Sequence, residues 1–195
     1  TAARRLNSRN AYWQAPERQV PLPANIRQVE PVLRTLATGN FLLDDLHELM
    51  NRAAERAAVR APGLYAQALD TLTIRDGWNV LLSNDSSATQ FLYEVANADI
   101  EDAYAPVLDS VLTELGGDAV LVQIVDLYNA YAALDPAISP QQLDPAVQPG
   151  YAQDALRPYY QEMKDHERAL RANPLLRENP DVIRVLEIWD THNAP

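Results

Sequence analysis

Residues 41–60 carry the most regular hydrophobic pattern in the chain. At about 100° of rotation per residue, apolar side chains that recur every three or four positions share one face of an α-helix. The residues on this face are Leu42, Leu46, Leu49, Met50, Ala53 and Ala57. A narrow polar stripe on the opposite side consists of Asp44, Glu48, Asn51 and Glu55. The pattern therefore predicts one long amphipathic helix over 41–60.

Helical spacing also predicts helices before and after this segment. Their ranges are 25–38, 64–72, 87–96, 100–115, 118–134, 151–172 and 179–189. Residues 97–99 (Asn-Ala-Asp) favour a break between two of these helices, and Asp76 lies in the first turn of a further short one. No stretch alternates apolar and polar residues as a β-strand does. We expect an all-α fold, with a single antiparallel array of about seven helices in a domain spanning residues 24–190 and a tail at 191–195.

The first 23 residues predict an extended arm. Prolines at positions 16, 21 and 23 interrupt any continuous helix and favour extended backbone. The aromatic pair Tyr12 and Trp13 precedes them. These two rings are candidate anchors, either for packing the arm on its own domain or for binding a partner or a second copy of the chain.

Composition narrows the class of protein. An apolar content of 47% in 195 residues supports one hydrophobic core. The absence of cysteine excludes disulfides, thiolate metal sites and a cysteine nucleophile. No apolar run reaches the roughly 18 residues of a transmembrane helix, so we expect no membrane span. The first residues also lack the apolar segment of a signal peptide.

Charge argues against nucleic-acid binding. The net charge is −11, and residues 61–165 contain 16 acidic but only 3 basic side chains. Such a surface repels the phosphate backbone. We expect no nucleic-acid partner, whereas a protein partner, a homo-oligomer or a divalent cation is compatible with this charge.

The polar stripe of the 41–60 helix permits two interpretations. Carboxylates such as Glu48 and Glu55 are the ligands that Ca²⁺ and Mg²⁺ prefer, but one helix needs a second contributor, for which Asp76 and Glu167 are candidates. Alternatively the stripe belongs to an internal polar network in which an arginine pairs with a glutamate. The residues of this candidate ligand site or structural network are Glu48, Asn51, Arg52, Glu55, Asp76, Glu167 and Arg171. We favour the network, because metal coordination imposes the stricter geometry, and we predict no metal, no cofactor and no catalytic residue.

Known motifs of catalysis are missing or incomplete. His47-Glu48 begins a zincin-like motif, but Asn51 stands where that motif needs a second imidazole. The chain also lacks a nucleophile elbow and a phosphate-binding glycine loop. A carrier of small apolar ligands would require a cavity between helices, which a sequence does not reveal.

Several short motifs, taken in order, resemble a bacterial family catalogued as domain of unknown function 4197. They cover roughly residues 20–175, with departures at Gly77-Trp78 and Pro158-Tyr-Tyr160. The motifs are Pro21-Leu-Pro23, Met50-Asn-Arg-Ala-Ala-Glu55, Thr73-Ile-Arg-Asp76, Ala88-Thr89, Pro106 and Glu167-Arg-Ala-Leu-Arg-Ala-Asn-Pro174. The resemblance implies a helical, exported protein, periplasmic or otherwise outside the cytoplasm, and implies no known reaction.

These observations favour a non-enzymatic, exported binding or assembly module. The alternative is a cation-dependent or carboxylate-based enzyme that uses the polar stripe of the 41–60 helix.

Overall fold

The computed structural model describes residues 2–71, 77–135, 137–144 and 150–192, and its elements there are helical. The predicted all-α fold is confirmed, with no strand among these residues. The helices are α1 (Ala2–Leu6), α2 (Ala24–Leu33), α3 (Gly39–Ala57), α4 (Ala61–Thr71), α5 (Gly77–Leu82), α6 (Ser87–Glu114), α7 (Gly117–Ala132), α8 (Tyr151–Ala172), a 3₁₀ turn (Pro174–Leu176) and α9 (Pro180–His192). None of the helices in these ranges is both long enough and apolar enough to cross a membrane.

The helix predicted over 41–60 is α3, and it lies at the centre of the core. It packs against α6 and α7, and α6 in turn packs along α8. The face of α3 that makes these contacts is fully buried and carries small side chains toward its C-terminus, among them Ala53, Ala54 and Ala57. Because alanine occupies little volume, neighbouring helices approach closely at this end of α3.

The predicted break at residues 97–99 is wrong. Residues 87–114 form one continuous helix, α6, in which Ala96 and Ile100 on either side of the proposed break are buried in the core. Asn97 donates from Nδ2 to Glu101 Oε1 (2.5 Å), a contact between successive turns of the same helix. Burial of the apolar positions therefore overrides the weak helix propensity of Asn97 and Asp99.

The extended N-terminal arm is not confirmed. The chain begins with α1 and continues through a series of turns to residue 18. Apolar residues of this segment, including Leu6, Tyr12 and Val20, are at most 1% exposed and belong to the same hydrophobic core as α3. Because these side chains gain burial against the helices, the segment folds onto the domain and forms part of it.

The start of α3 depends on a close backbone approach. The N-cap residue is Thr38, and Gly39 is the first residue of the helix. A Cβ atom at Gly39 would lie 1.8 Å from the carbonyl oxygen of Leu33, the last residue of α2. Only glycine fits at this position, which fixes where α2 ends and α3 begins.

Candidate functional site

Asn51 of α3 is fully buried and binds the backbone of Val20. Its Oδ1 accepts from Val20 N (2.9 Å), and its Nδ2 donates to Val20 O (3.0 Å) and to His47 O (2.8 Å). A primary amide carries both donors and an acceptor, so it pairs with both backbone polar groups of one residue. This contact attaches the N-terminal segment to α3.

His47 supports the same attachment one turn earlier in α3. Its Nε2 lies 3.0 Å from Val20 O, and because a carbonyl only accepts, Nε2 carries the proton. The ring of Trp13 meets the imidazole edge-on, with centroids 5.1 Å apart. Burial lowers the pKa of His47, which favours the neutral ring.

Glu55 binds the N-terminal segment through its carboxylate. The side chain is buried, and Oε1 accepts from Tyr12 N (3.2 Å) and Trp13 N (3.4 Å). Its Oε2 accepts from Arg52 Nη1 (3.3 Å). A buried carboxylate is tolerated when its oxygens are satisfied in this way.

Arg52 connects Glu55 to two further residues. Its Nη1 also donates to Asn10 Oδ1 (2.8 Å), and its Nη2 pairs with Glu48 Oε1 (3.0 Å). Asn10 has a positive φ of 68°, a conformation that asparagine adopts more readily than most residues. We call Glu48, Asn51, Arg52 and Glu55, with their partners in residues 10–20, the α3 polar network.

Glu167 of α8 caps the N-terminus of α6. Its Oε1 accepts from Ala88 N (3.1 Å), and its Oε2 accepts from Thr89 N (2.8 Å) and Thr89 Oγ1 (2.7 Å). The first N–H groups of a helix have no partner within the helix, and a negative charge there is favourable. The carboxylate thus fixes the start of α6 against α8.

Arg171 lies one turn further along α8 and is 5% exposed. Its Nε (2.9 Å) and Nη2 (2.8 Å) donate to Glu167 Oε1, while Nη1 donates to Leu81 O (2.7 Å). Nη2 also donates to Ser87 Oγ (3.3 Å), and the guanidinium lies over the ring of Trp189, 4.5 Å from its centroid. We call Ser87, Thr89, Glu167 and Arg171 the α8 polar cluster.

A second arginine holds α9 against the end of α8. Arg177 pairs with Asp190 through both Nη atoms (2.5 and 2.9 Å) and donates to the carbonyl oxygens of Leu170 (2.7 Å) and Arg171 (3.0 Å). The guanidinium lowers the pKa of the Asp190 carboxyl. Within the described helix α9, Leu186 is the one buried residue. These polar contacts are therefore a main part of what holds α9 in place.

An apolar cavity of about 570 Å³ lies beside the α8 polar cluster, between α5, α6, α8 and α9. Its lining is mostly hydrocarbon, and the polar groups of Thr89, Glu167 and Arg171 form part of its wall. The described lining residues are Gly77, Val80, Leu81, Ala88, Thr89, Met163, His166, Glu167, Leu170, Arg171, Asp181, Val182, Val185 and Leu186. A concave, mostly apolar site of this size is typical of small-molecule binding.

The residues singled out in the sequence lie in two separate networks. Asn51, Arg52 and Glu55 of α3 contact residues 10–20, and Glu48 joins them through Arg52. Glu167 and Arg171 contact α5, α6 and α9 instead. Asp76 lies outside the described residues. Arg52 pairs with Glu55, and Arg171 with Glu167, but Asn51 binds the Val20 backbone and not the end of a neighbouring helix. The assignment of these residues to a ligand site stays a prediction.

A cation at the polar stripe of α3 would have to compete with hydrogen-bond donors that already bind its side chains. Within the part of the chain that the structure describes, no three His, Asp or Glu side chains form a group that could hold a metal ion. Glu55 already accepts from two backbone N–H groups and Arg52. A metal would have to displace these donors, and Asn51 is committed to Val20 in the same way.

The aromatic pair of the N-terminal segment faces its own domain. Tyr12 is 1% exposed and donates from its hydroxyl to Ala155 O (2.8 Å), while Trp13 is half-buried beside His47. These contacts agree with the intramolecular alternative. Binding of a partner through Tyr12 would require the segment to leave the core.

Comparison with known families identifies the relatives of this chain. A family model described as "Protein of unknown function (DUF4197)" matches residues 1–186. The chain belongs to the DUF4197 family. No curated protein and no solved structure matches it.

Motifs by which the chain resembles DUF4197 proteins come together in space. Ala88-Thr89 and the Glu167–Pro174 motif meet in the α8 polar cluster, which is also one wall of the cavity. Sequence reasoning missed the cavity, Ser87, Thr89 as the partner of Glu167, and the Arg177–Asp190 pair. The order of motifs gave a signal for Thr89, since Ala88-Thr89 was already part of the resemblance. No signal marked the cavity.

Proposed function

We propose that this DUF4197 protein is a non-enzymatic binding module that acts outside the cytoplasm and takes an apolar ligand into the cavity between α5, α6, α8 and α9. The observation that carries the proposal is the cavity itself, whose lining is mostly hydrocarbon and whose volume is about 570 Å³. Ligand sites in proteins are commonly concave and apolar, with volumes of roughly 300–1,000 Å³. The resemblance to exported proteins supports a role outside the cytoplasm. Fractionation of cells that express the protein from its natural gene would test this.

The hydrogen bonds of Glu167 and Arg171 in the cavity wall favour binding over catalysis. Glu167 is held by Ala88, Thr89 and Arg171, and each nitrogen of Arg171 donates to a protein acceptor. A catalytic acid or base needs a proton or lone pair directed at the substrate. In this cluster those positions are taken by intramolecular hydrogen bonds that position the helices.

Filling the cavity should weaken binding of an apolar probe. N-phenyl-1-naphthylamine is uncharged and fluoresces strongly in apolar sites, so its titration reports on the cavity. Val185→Trp adds an indole to a lining residue that is 45% exposed on α9, so the variant should fold. We expect its affinity for the probe to fall by at least about tenfold, which corresponds to about 1.4 kcal/mol.

The matched control is Val122→Trp on α7. Val122 is 47% exposed and is not among the lining residues, so this variant carries the same change at similar exposure elsewhere. It should bind the probe as the wild type does. Val182→Trp makes the same change at a second lining residue of α9. Equal affinity of both lining variants and wild type would contradict the proposal, as would a wild-type protein that binds no probe.

A further inference from the structure

We propose that the ligand of the cavity is an amphiphile with one hydrocarbon chain and a head that is not anionic. This inference rests on the proposed function and names the chemical class of its ligand. The lining supplied by Val80, Leu81, Leu170 and Val182 offers hydrocarbon contacts and suits a hydrocarbon chain. A volume of about 570 Å³ lies within the range of roughly 300–1,000 Å³ for small-molecule sites and accommodates one hydrocarbon chain.

Among the lining residues that the structure describes, none offers an unpaired arginine or lysine to an anionic head. Arg171 is the one Arg or Lys among the described lining residues. Its Nε and Nη2 bind Glu167, its Nη1 binds Leu81 O, and Trp189 covers a face of the guanidinium. An anion that bound Arg171 would displace Glu167 from the guanidinium. The Glu167 carboxylate would then lack its counter-charge, which is costly in a site of low exposure.

The charge of the chain also disfavours an anionic head. Asp181 lies in the lining and is exposed; it pairs with Arg184 on the same helix (2.6 Å). The whole chain carries a net charge of −11. A net negative charge repels an approaching carboxylate head, whereas it exerts no net force on a neutral head and attracts a cationic one.

Competition between three amphiphiles of equal chain length tests the inference. Monolauroylglycerol, lauryltrimethylammonium and laurate differ in head charge, and each displaces bound N-phenyl-1-naphthylamine if it enters the cavity. Titrations are run below micelle formation and at pH 8. We expect laurate to bind at least about tenfold more weakly than the other two, because no arginine or lysine of the described lining is free to offset desolvation of its carboxylate.

The second part of the experiment tests whether an added positive charge increases laurate binding. Val185→Lys places an ammonium at an exposed lining position and should bring laurate to within about threefold of monolauroylglycerol, through charge pairing. Val122→Lys, its control on α7, should leave the preference unchanged.

The outcomes separate the two proposals. If laurate binds the wild type as tightly as monolauroylglycerol does, the inference about the head group is overturned, while probe binding at the cavity stands. The same holds if Val185→Lys leaves the preference for monolauroylglycerol over laurate unchanged. A wild-type protein that binds no N-phenyl-1-naphthylamine overturns the proposed function and this inference with it.

Discussion

Arg171→Met should lower the free energy of unfolding by about 3 kcal/mol, the loss typical of removing one partner from a buried ion pair. The side chains of Arg171 and Glu167 are 3% and 14% exposed, so water screens their interaction poorly. Methionine keeps much of the volume but leaves Glu167 without its counter-charge and Leu81 O without its donor. Urea unfolding followed by circular dichroism measures the change.

The control is Arg168→Met, three residues earlier on the same helix. Arg168 is 46% exposed and pairs with Asp85 (3.3 Å) and Asp165 (3.5 Å). Surface pairs of this kind contribute at most about 1 kcal/mol. The double variant Glu167→Gln/Arg171→Met should recover part of the loss, because it removes the unpaired charge. Equal losses for Arg171→Met and Arg168→Met would contradict the role of the α8 polar cluster.

Asn51→Leu should destabilise the fold by about 3 kcal/mol, since an unsatisfied buried polar group alone costs about 1–3 kcal/mol. Leucine leaves Val20 N–H without an acceptor and removes two donated hydrogen bonds. The N-terminal segment should then detach more often from α3. Urea unfolding measures the stability, and limited proteolysis measures cleavage between residues 7 and 20, which should be faster than in the wild type.

Asn40→Leu makes the same substitution on the same helix at an exposed position. Asn40 contacts Arg34 at the surface (3.1 and 3.3 Å), so its loss should change stability by about 0.5 kcal/mol at most. If both variants were equally stable, or if proteolysis of the N-terminal segment were unaffected by Asn51→Leu, the α3 polar network would not be what fastens this segment.

Helix positions were largely predictable because periodicity is a local property. The predicted bounds of α8 match the structure, and α3 begins and ends within three residues of the prediction. The boundaries that failed depended on tertiary contacts. The helix expected over 25–38 ends earlier, at Leu33, and Gly39 starts α3, because the two backbones meet there. The segment before α2 was expected to be extended, but its apolar side chains find room in the core.

The sequence indicated which polar residues matter more readily than it indicated which groups they bind. Asn51 and Glu55 were recognised as candidates, yet their partners are backbone groups 31 and 43 residues away in the sequence. Backbone groups are present in every residue and carry no sequence signal. The cavity left no signal for a related reason, since residues such as Val80 and Leu170 have the same helical spacing as core residues.

The central claim, that the cavity binds an apolar ligand, is tested most directly by methyl NMR of leucine and valine during titration with monolauroylglycerol. The account predicts saturable shifts for the methyl groups of Leu170, Val182 and Val185, which line the cavity, and no shifts for Val122 on α7. Shifts confined to other methyl groups, or no saturable shift at all, would contradict it.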